Sequence, residues 1–572
     1  MKKQFKLLSV ILATTMLLGS VSAMACTASY VGKDVSTDGT TIIARSEDQG
    51  QGDYNKMYVV VPRVDNVPGR FMEDTGNGFK LPLPATTYKY TMVPDYTQGD
   101  DGTYPGICTN EYGVTISGTV SASPCEAWEN ADPYIEPALR EAILPAAVAA
   151  VSKTAREALD VLMGYVDTYG SEEGNTVLIA DQKEAWVIEI YSGHHYAAMK
   201  MPTDQVAVFG NQFMMGAVDQ KDTETYVFSK GLFELIDKLG LAVKEDGKYN
   251  LVKSICKNER SDGSNMRTWM GHTLLAPSTA GGEYKNETFY PLFYKPDHKV
   301  SPLEIMDLHR NRYEGTPQDA SKPGNEDLRV IGVERTSQIH LVQINENYPA
   351  ACSAITWIGL GNPEHSVYIP AFSGITDTAP AYKVDGDVYN ENGAFWMFKR
   401  ICTLAEQNRA LYGQGVKDYW KLQEEMMYKE MKAAEPKMLE LYKTDPAAGA
   451  KFVTELGIQM AEREMKHSDV LFADLLTNMM HNTGLSINKT PRTFISNTAL
   501  RPAADFKGYT TAWNPADGAI TLTKGTTSYV LTVGSTACKA TKNGVVTALK
   551  LSTAPRNMGG TTYVPMDFVQ GL

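Results

Sequence analysis

The cysteine at position 26 is the residue whose type and place in the sequence most clearly predict chemistry. It follows a basic start, an apolar run over 7–18 and the small-residue end Ala23-Met24-Ala25. Signal peptidase recognises this order, so the sequence predicts a signal peptide over 1–25 that is cut after Ala25. Cys26 would then begin the mature chain with a thiol and a free α-amine on one residue. Because such an amine has a pKa of about 8, it would serve as a base beside the nucleophile.

Two other interpretations of Cys26 stay open at this stage. The first is a lipoprotein, in which the first cysteine of the mature chain carries a lipid. That would make the protein a non-enzymatic, lipid-anchored binding protein of the cell wall. Ala23 stands where lipoproteins prefer a large aliphatic residue, which disfavours this interpretation. The second is coincidence, in which the cysteine follows the cleavage site without a role.

Two charged residues downstream are predicted to return to Cys26. Residues 27–31 and 40–48 are rich in β-branched residues and flank the turn former Asp38-Gly39, which predicts a β-hairpin. A hairpin would bring Arg45 and Asp48 close to Cys26. We expect Arg45 to lower the pKa of the thiol and Asp48 to orient the α-amine by a hydrogen bond. A surface ion pair at a strand end is the alternative.

Composition excludes several classes of partner and cofactor. The net charge of −13 disfavours nucleic acid and anionic membrane surfaces. After 1–25, no apolar run approaches the roughly 20 residues of a membrane span. The sequence has neither a CxxC pair nor an HExxH motif, and its nine histidines show no zinc-ligand spacing. We therefore expect no metal and no cofactor.

The pattern of elements predicts an α+β protein with several segments. Strand-like runs and predicted turns over 57–62, 113–119, 175–190 and 206–210 flank a helical region over 136–164, which favours layered antiparallel sheets. A second helical region covers 394–480, and the last part of the chain returns to short β runs. The predicted domains are the signal peptide 1–25, a main domain 26–482, a linker 483–506 and a small all-β domain 507–572.

Several short motifs carry a resemblance to a known family. Besides Cys26, they are Ala44–Asp48, Thr109–Val114, Arg267–Trp269, Tyr313–Pro317 with Asp319, Glu334–Thr336 and Ser366–Pro370. Together they resemble the cysteine dipeptidases of the N-terminal nucleophile (Ntn) hydrolase superfamily, relatives of penicillin V acylases and bile-salt hydrolases. The likeness covers roughly 26–480. The C-terminal segment resembles the copper-amine-oxidase N-terminal-like (stalk) domains, and it shows no copper-ligand cluster.

The resemblance implies a four-layer αββα sandwich and a set of site residues. Arg45 and Asp48 match the family's arginine and aspartate, and Asn211 matches its oxyanion-hole asparagine. The resemblance also implies a second arginine in the site. Arg267 is the predicted substrate-binding residue, with Arg310 and Arg312 as competitors for that role. Ser46 departs from the asparagine that many members have.

The expected function is a secreted dipeptidase that cleaves short peptides through a thioester on Cys26. An N-acyl amide hydrolase of the penicillin V acylase or bile-salt hydrolase type is the alternative substrate class. We expect the protein outside the cell or at the cell wall, with the β domain as a candidate wall contact. Side-chain preference, disulfide pairing and oligomeric state, a homo-oligomer included, are left open.

Overall fold

The structure is a computed structural model that describes residues 26–49, 54–97, 103–256, 260–280, 282–486 and 489–572. The predicted signal peptide, 1–25, lies outside the described residues. Among the described residues, no helix has the length and apolar character that crossing a bilayer requires.

The first sheet carries the predicted hairpin at its centre. Its six antiparallel strands, in spatial order, are β12 (Val206–Phe209), β1 (Thr27–Val31), β2 (Thr41–Asp48), β17 (Thr336–Ile344), β18 (Ala354–Leu360) and β19 (Ile369–Phe372). In the β1–β2 pair, Thr27 lies opposite Ser46 and Ala28 opposite Arg45. The register therefore places the end of β2 beside the start of β1, as the hairpin predicts. The two strands are joined by a longer loop, 32–40, in place of a tight turn.

The second sheet is also antiparallel and has eight strands. In spatial order they are β14 (Tyr226–Phe228), β11 (Tyr196–Lys200), β10 (Ala185–Ile190), β9 (Asn175–Ala180), β8 (Thr115–Ser121), β7 (Ile107–Asn110), β6 (Tyr90–Met92) and β3 (Val59–Val61). Side chains alternate between its faces. Leu178 and Val187 join the core cluster of the first sheet. Val177 and Ile188 join the cluster on the other face. The two sheets are thus stacked on one another.

Helices cover the outer faces of both sheets. Those on the second sheet are α2 (Leu144–Ala149) and α3 (Ala155–Tyr169), which follow the short α1 (Glu126–Ala131). The first sheet is covered by helices from later parts of the chain, which are α6 (Asp262–Leu275), α7 (Pro302–His309), α8 (Ala394–Glu406), α9 (Arg409–Thr444) and α10 (Pro446–Thr483). The order helix, sheet, sheet, helix confirms the predicted αββα sandwich.

The helical predictions hold to different degrees. The region 394–480 contains three helices, and α9 and α10 form a hairpin in which Asp445 caps α10 through the amides of Ala447 and Ala448. The prediction of a helix over 136–164 is wrong for 136–143. There the backbone amides of Ala138, Leu139 and Glu141 donate to the Glu172 carboxylate, the Gly170 carbonyl and the Glu173 carboxylate. These long-range bonds replace the local bonds of a helix.

The remaining small elements of the main domain lie outside the two sheets. They are the pair β4 (Phe71–Glu73) and β5 (Lys80–Pro82), the group β13 (Ala217–Val218), β15 (Lys244–Glu245) and β16 (Lys248–Asn250), and the helices α4 (Leu232–Lys238) and α5 (Leu251–Ile255).

The C-terminal unit is built mainly of strands. A five-stranded meander contains β21 (Thr510–Asn514), β22 (Ala519–Lys524), β23 (Thr527–Thr532), β24 (Ala537–Lys542) and β25 (Val545–Lys550). Beside it lie β20 (Asn497–Ala499), α11 (Leu500–Phe506), β26 (Arg556–Met558), β27 (Thr561–Pro565) and α12 (Met566–Gln570). Because β20 pairs with β27, residues 497–506 belong to this unit. The structure therefore differs from the predicted linker 483–506 over that stretch.

Candidate active site

Cys26 lies directly before β1, the second strand of the first sheet, and is fully buried. Its Sγ accepts a hydrogen bond from Nη2 of Arg45, at 3.3 Å. The pairing of β1 with both β2 and β12 holds this strand on two sides. The hairpin therefore brings together the first two residues of the predicted site.

Two opposing effects act on the Cys26 thiol. Burial raises its pKa to about 11, while the positive charge of Arg45 lowers it. The carboxyls of Glu141, Asp48 and Glu47 add to the rise. Arg45 thus acts in the predicted direction, but burial outweighs it, and the resting sulfur is a thiol rather than a thiolate. A base is therefore needed to activate it.

Arg45 is held in place by a buried polar network. Its Nη1 donates to the carbonyl of Gly106 at 3.1 Å and lies 3.7 Å from the Glu47 carboxylate. Glu47 also pairs with Lys56, which is bonded to Asp95 at 2.5 Å. Since these ion pairs are buried on every side, removing one member would leave an uncompensated charge.

Asp48 is the anchor of a second set of contacts at the end of β2. Its Oδ1 accepts from the Thr336 hydroxyl at 2.6 Å, and its Oδ2 accepts from Ser46 and Arg329. The Ser46 hydroxyl in turn accepts the backbone N–H of Thr27 at 3.2 Å. Ser46 therefore connects Asp48 to the start of β1. Ser46 is the residue that stands where many members of the resembled family have asparagine. The predicted bond of Asp48 to the α-amine of Cys26 stays a prediction.

Asn211 and Arg267 meet on the other side of Cys26. Arg267, on α6, donates from Nη1 to the Cys26 carbonyl and to the Thr27 hydroxyl, and from Nη2 to Oδ1 of Asn211 at 3.0 Å. The oxyanion-hole role of Asn211, which would use its Nδ2 donors, stays a prediction. The structure thus brings Asn211, β1 and α6 together around one guanidinium group.

The contacts of Arg267 are with protein groups, and the substrate-binding role predicted for it stays a prediction. Its other donors bond the Gly263 carbonyl at 2.8 Å and the Ser264 hydroxyl at 3.3 Å, so all five N–H groups have protein acceptors. Burial and the nearby charge of Arg329 lower its pKa to about 9. Arg267 therefore links the Cys26 carbonyl to Asn211.

The competing arginines make their contacts elsewhere. Arg310 pairs with Glu424 of α9 at 2.5 Å and donates to the carbonyls of Pro363 and Ser366. Arg312 donates to the Gly332 carbonyl at 2.8 Å and pairs with Glu334 at 3.0 Å. Of the three candidates, Arg267 is the one bonded to Cys26.

Two charged residues that act on the predicted site residues are not among those named from the sequence. Arg329 pairs with Asp48, and Glu141 acts electrostatically on both Cys26 and Arg45. Both come from segments far from Cys26 along the chain, Glu141 from a stretch that the sequence predicts to be helical and Arg329 from a loop. No local signal in the sequence marks them.

Within the described ranges, no group of three or more histidine, cysteine, aspartate or glutamate side chains is placed to hold a metal ion.

Comparisons with known proteins assign the chain to a family. The pattern of Peptidase family C69 matches residues 25–422, and that of the copper amine oxidase N-terminal domain matches residues 487–571. The chain belongs to peptidase family C69 and is a peptidase of that family.

Named relatives support the same assignment. The chain is 31% identical over 483 residues to "Probable dipeptidase B" of Streptococcus pyogenes serotype M1, which covers 82% of this chain and 96% of that protein. It is 29% identical to "Probable dipeptidase" of Latilactobacillus sakei, covering 80% and 96%. With "Probable dipeptidase" of Salmonella dublin the identity is 31%, covering 64% and 84%.

Among solved structures, a mutant conjugated bile acid hydrolase from Clostridium perfringens is similar with a TM-score of 0.30 and 11% identity. That likeness covers 61% of this chain and 92% of that one.

Proposed function

We propose that the protein is a cysteine dipeptidase whose nucleophile is Cys26, exposed as the first residue when 1–25 are removed. The observation that carries this proposal is the convergence on Cys26 of Arg45 from β2 and of Arg267, which also holds Asn211. The names of the family relatives support a dipeptide as substrate, and they favour it over an N-acyl amide.

The first half of the reaction forms a thioester. The α-amine of Cys26 takes the thiol proton as Sγ attacks the scissile carbonyl carbon. The carbonyl electron pair moves onto oxygen, where Nδ2 of Asn211 would donate a hydrogen bond. One such donor is typically worth about 3 kcal/mol of transition-state stabilisation. When the intermediate collapses, the C–N bond breaks and the leaving amine takes the proton back from the α-ammonium.

The second half releases the product and restores the thiol. Water attacks the thioester carbon while the α-amine removes a proton from that water. Collapse breaks the C–S bond, and the proton on the α-amine returns to sulfur. In this scheme Arg45 stabilises the sulfur as negative charge develops on it.

Activation and export would be one event in this scheme. In the full-length chain the Cys26 nitrogen is an amide, which cannot act as a base, so the precursor would be inactive. We propose that residues 1–25 direct export and that the mature protein acts outside the cell. Contact of the C-terminal unit with the cell wall and assembly into a homo-oligomer stay predictions.

The test is N-terminal sequencing of the secreted protein together with dipeptidase assays of Cys26→Ala, Cys26→Ser and the unprocessed chain. We expect the secreted chain to begin at Cys26 and to cleave dipeptides. We expect both the alanine variant and the unprocessed chain to fall to background. Full activity in Cys26→Ala, or a mature chain that begins elsewhere, would overturn the proposal. Recovery of the protein in the cytoplasm alone, or a lipid on Cys26, would overturn the export step as proposed.

A further inference from the structure

A buried carboxyl group beside the active site has no described partner for one of its oxygens. Glu141 is 4% exposed, and within the described part of the chain its Oε2 makes no hydrogen bond. A buried acceptor left in this state is costly, because folding removes it from water without replacing the lost bonds. A buried carboxyl oxygen of this kind in a peptidase site would be stabilised by a hydrogen bond from a bound ligand.

The chain places Glu141 next to the catalytic end of the first sheet. The carbonyl of Ala142, its neighbour, accepts the backbone N–H of Tyr104 at 3.0 Å. Two residues further on, the carbonyl of Gly106 accepts from Arg45, the partner of Cys26. One short segment, 104–106, thus bridges Glu141 and the arginine at the sulfur.

A second buried oxygen without a described partner, Oδ1 of Asn175, is linked to Glu141 through Glu173. Oε1 of Glu173 accepts the backbone N–H of Glu141 at 2.7 Å and Nδ2 of Asn175 at 3.1 Å, so these three residues are held together. The Oδ1 of Asn175 is buried and, among the described residues, also without a hydrogen-bond partner. The two unmatched atoms are an oxygen of a carboxyl group and the oxygen of an amide. A ligand with several N–H donors and a positive charge matches both.

The charges around Glu141 shift its pKa in both directions. Burial raises the pKa of Glu141 well above its ordinary value, and the Glu173 carboxyl raises it further, although Arg45 acts in the opposite direction. A bound cation would oppose both causes of this rise.

We propose that Glu141, with Oδ1 of Asn175, binds the α-ammonium group of the dipeptide substrate. This inference rests on the proposed function and names the group by which the site would select its substrate. In a dipeptide the ammonium nitrogen is two covalent bonds from the scissile carbonyl carbon. Its acceptor must therefore lie close to the nucleophile, as Glu141 does through the 104–106 bridge. N-acyl amides have no such charge and would leave the carboxyl group without its partner, which disfavours them strongly.

The mature enzyme itself offers one competing donor. The α-amine of Cys26, once freed, would also carry N–H groups near Glu141. If Glu141 held that amine, its loss would slow every substrate equally. If it holds the substrate, its loss would slow only substrates that have an α-ammonium group.

The test compares three substrates on the mature enzyme. They are an alanyl dipeptide, its N-acetyl derivative and the desamino analogue, in which hydrogen replaces the amine. We expect wild-type kcat/KM to fall by about 100-fold or more for the second and third compounds, because each lacks the charged donor. Equal rates for the dipeptide and its desamino analogue would overturn the inference without any variant.

The variant Glu141→Gln extends the test to the residue. We expect kcat/KM for the free dipeptide to drop about 100-fold, with the rates for the other two compounds nearly unchanged. The matched control is Glu224→Gln, an exposed glutamate that should leave all three rates as they are. Iodoacetamide labelling of Cys26 and the thermal midpoint Tm report whether the variant is folded.

Two results for Glu141→Gln would overturn the inference. One is a retained preference for the free dipeptide, and the other is an equal loss on all three compounds. A wild-type enzyme that cleaves none of the three would contradict the proposed dipeptidase function instead.

Discussion

Burial and the charge of Arg45 have opposite effects on the pKa of the Cys26 thiol, and the contribution of Arg45 can be measured. Replacing Arg45 by glutamine removes the effect that lowers the pKa of the thiol and leaves the effects that raise it. The thiolate fraction at any given pH should therefore fall, and the pH profile of alkylation should move to higher pH. We expect roughly a tenfold slower reaction with iodoacetamide at pH 8 for each unit by which the pKa rises.

Two controls separate the charge from other effects of the change. Arg45→Lys keeps a positive charge and should lie between the glutamine variant and the wild type. Arg63→Gln alters a surface arginine and should have no effect. An unchanged alkylation profile in Arg45→Gln would show that the guanidinium has no influence on the sulfur.

Single residues of the site differ in how far the sequence could reveal them. Arg45 was predictable because it lies on the hairpin that begins beside Cys26. The pairing of the two strands brings Arg45 back to the start of β1. The five N–H groups of Arg267 bond protein acceptors, an arrangement that only the packed structure reveals, and its predicted contact with substrate stays a prediction. Glu141 and Arg329 reach the site from distant loops, where position depends on the whole fold and no local pattern marks it.

At the level of elements, the link between β12 and α6 depends on the absence of a side chain at Gly210. A Cβ there would lie 2.7 Å from Cζ of Arg267 and 2.9 Å from Cα of Ser264. Gly210→Ala should therefore push the guanidinium away from Cys26 and Asn211. We expect kcat to fall by about 10²-fold with KM little changed, because the displaced amide serves the transition state.

Gly216→Ala, directly before β13, is the control for the Gly210 substitution. The nearest atom to a Cβ there is Nδ2 of Asn250 at 3.9 Å, an ordinary contact, so we expect kinetics like those of the wild type. Wild-type kcat in Gly210→Ala would mean that Arg267 and Asn211 do not depend on this close packing.

The elements themselves were predictable where the periodicity is strong. The hairpin of β9 and β10 and the long helices α8, α9 and α10 follow from alternation and helical spacing. The stretch 136–143 was misassigned since its alanines and leucine fit a helix, while its backbone amides find partners across the domain.

For the molecule as a whole, the C-terminal unit is fastened to the helical layer by a buried charge. Asp474 of α10 accepts hydrogen bonds from Arg556 of β26 and from Nδ2 of Asn497 in β20. Arg556→Leu would leave this carboxylate with its amide partner alone. We expect the free energy of unfolding to fall by about 1–3 kcal/mol, the usual range for a buried polar group that loses its partner.

Urea denaturation of the mature protein measures this loss. Arg501→Leu, a change at an exposed arginine of α11 in the same unit, should be close to neutral. Equal stability of Arg556→Leu and Arg501→Leu would show that the Asp474 contact contributes nothing.

The order of the two units along the chain was readable from the change in composition, but the attachment of 497–506 to the second unit was not. It depends on the pairing of β20 with β27, a contact that spans more than sixty residues.

The grip of Arg267 on the Cys26 carbonyl has a practical consequence. The first residue of a chain usually frays, but here strand pairing on both sides and a guanidinium on the carbonyl would keep a newly made terminus in register. The conformation of Cys26 would then not depend on residues 1–25. An affinity tag fused directly in front of Cys26 should accordingly yield a well-folded but silent protein, so purification handles belong after Leu572.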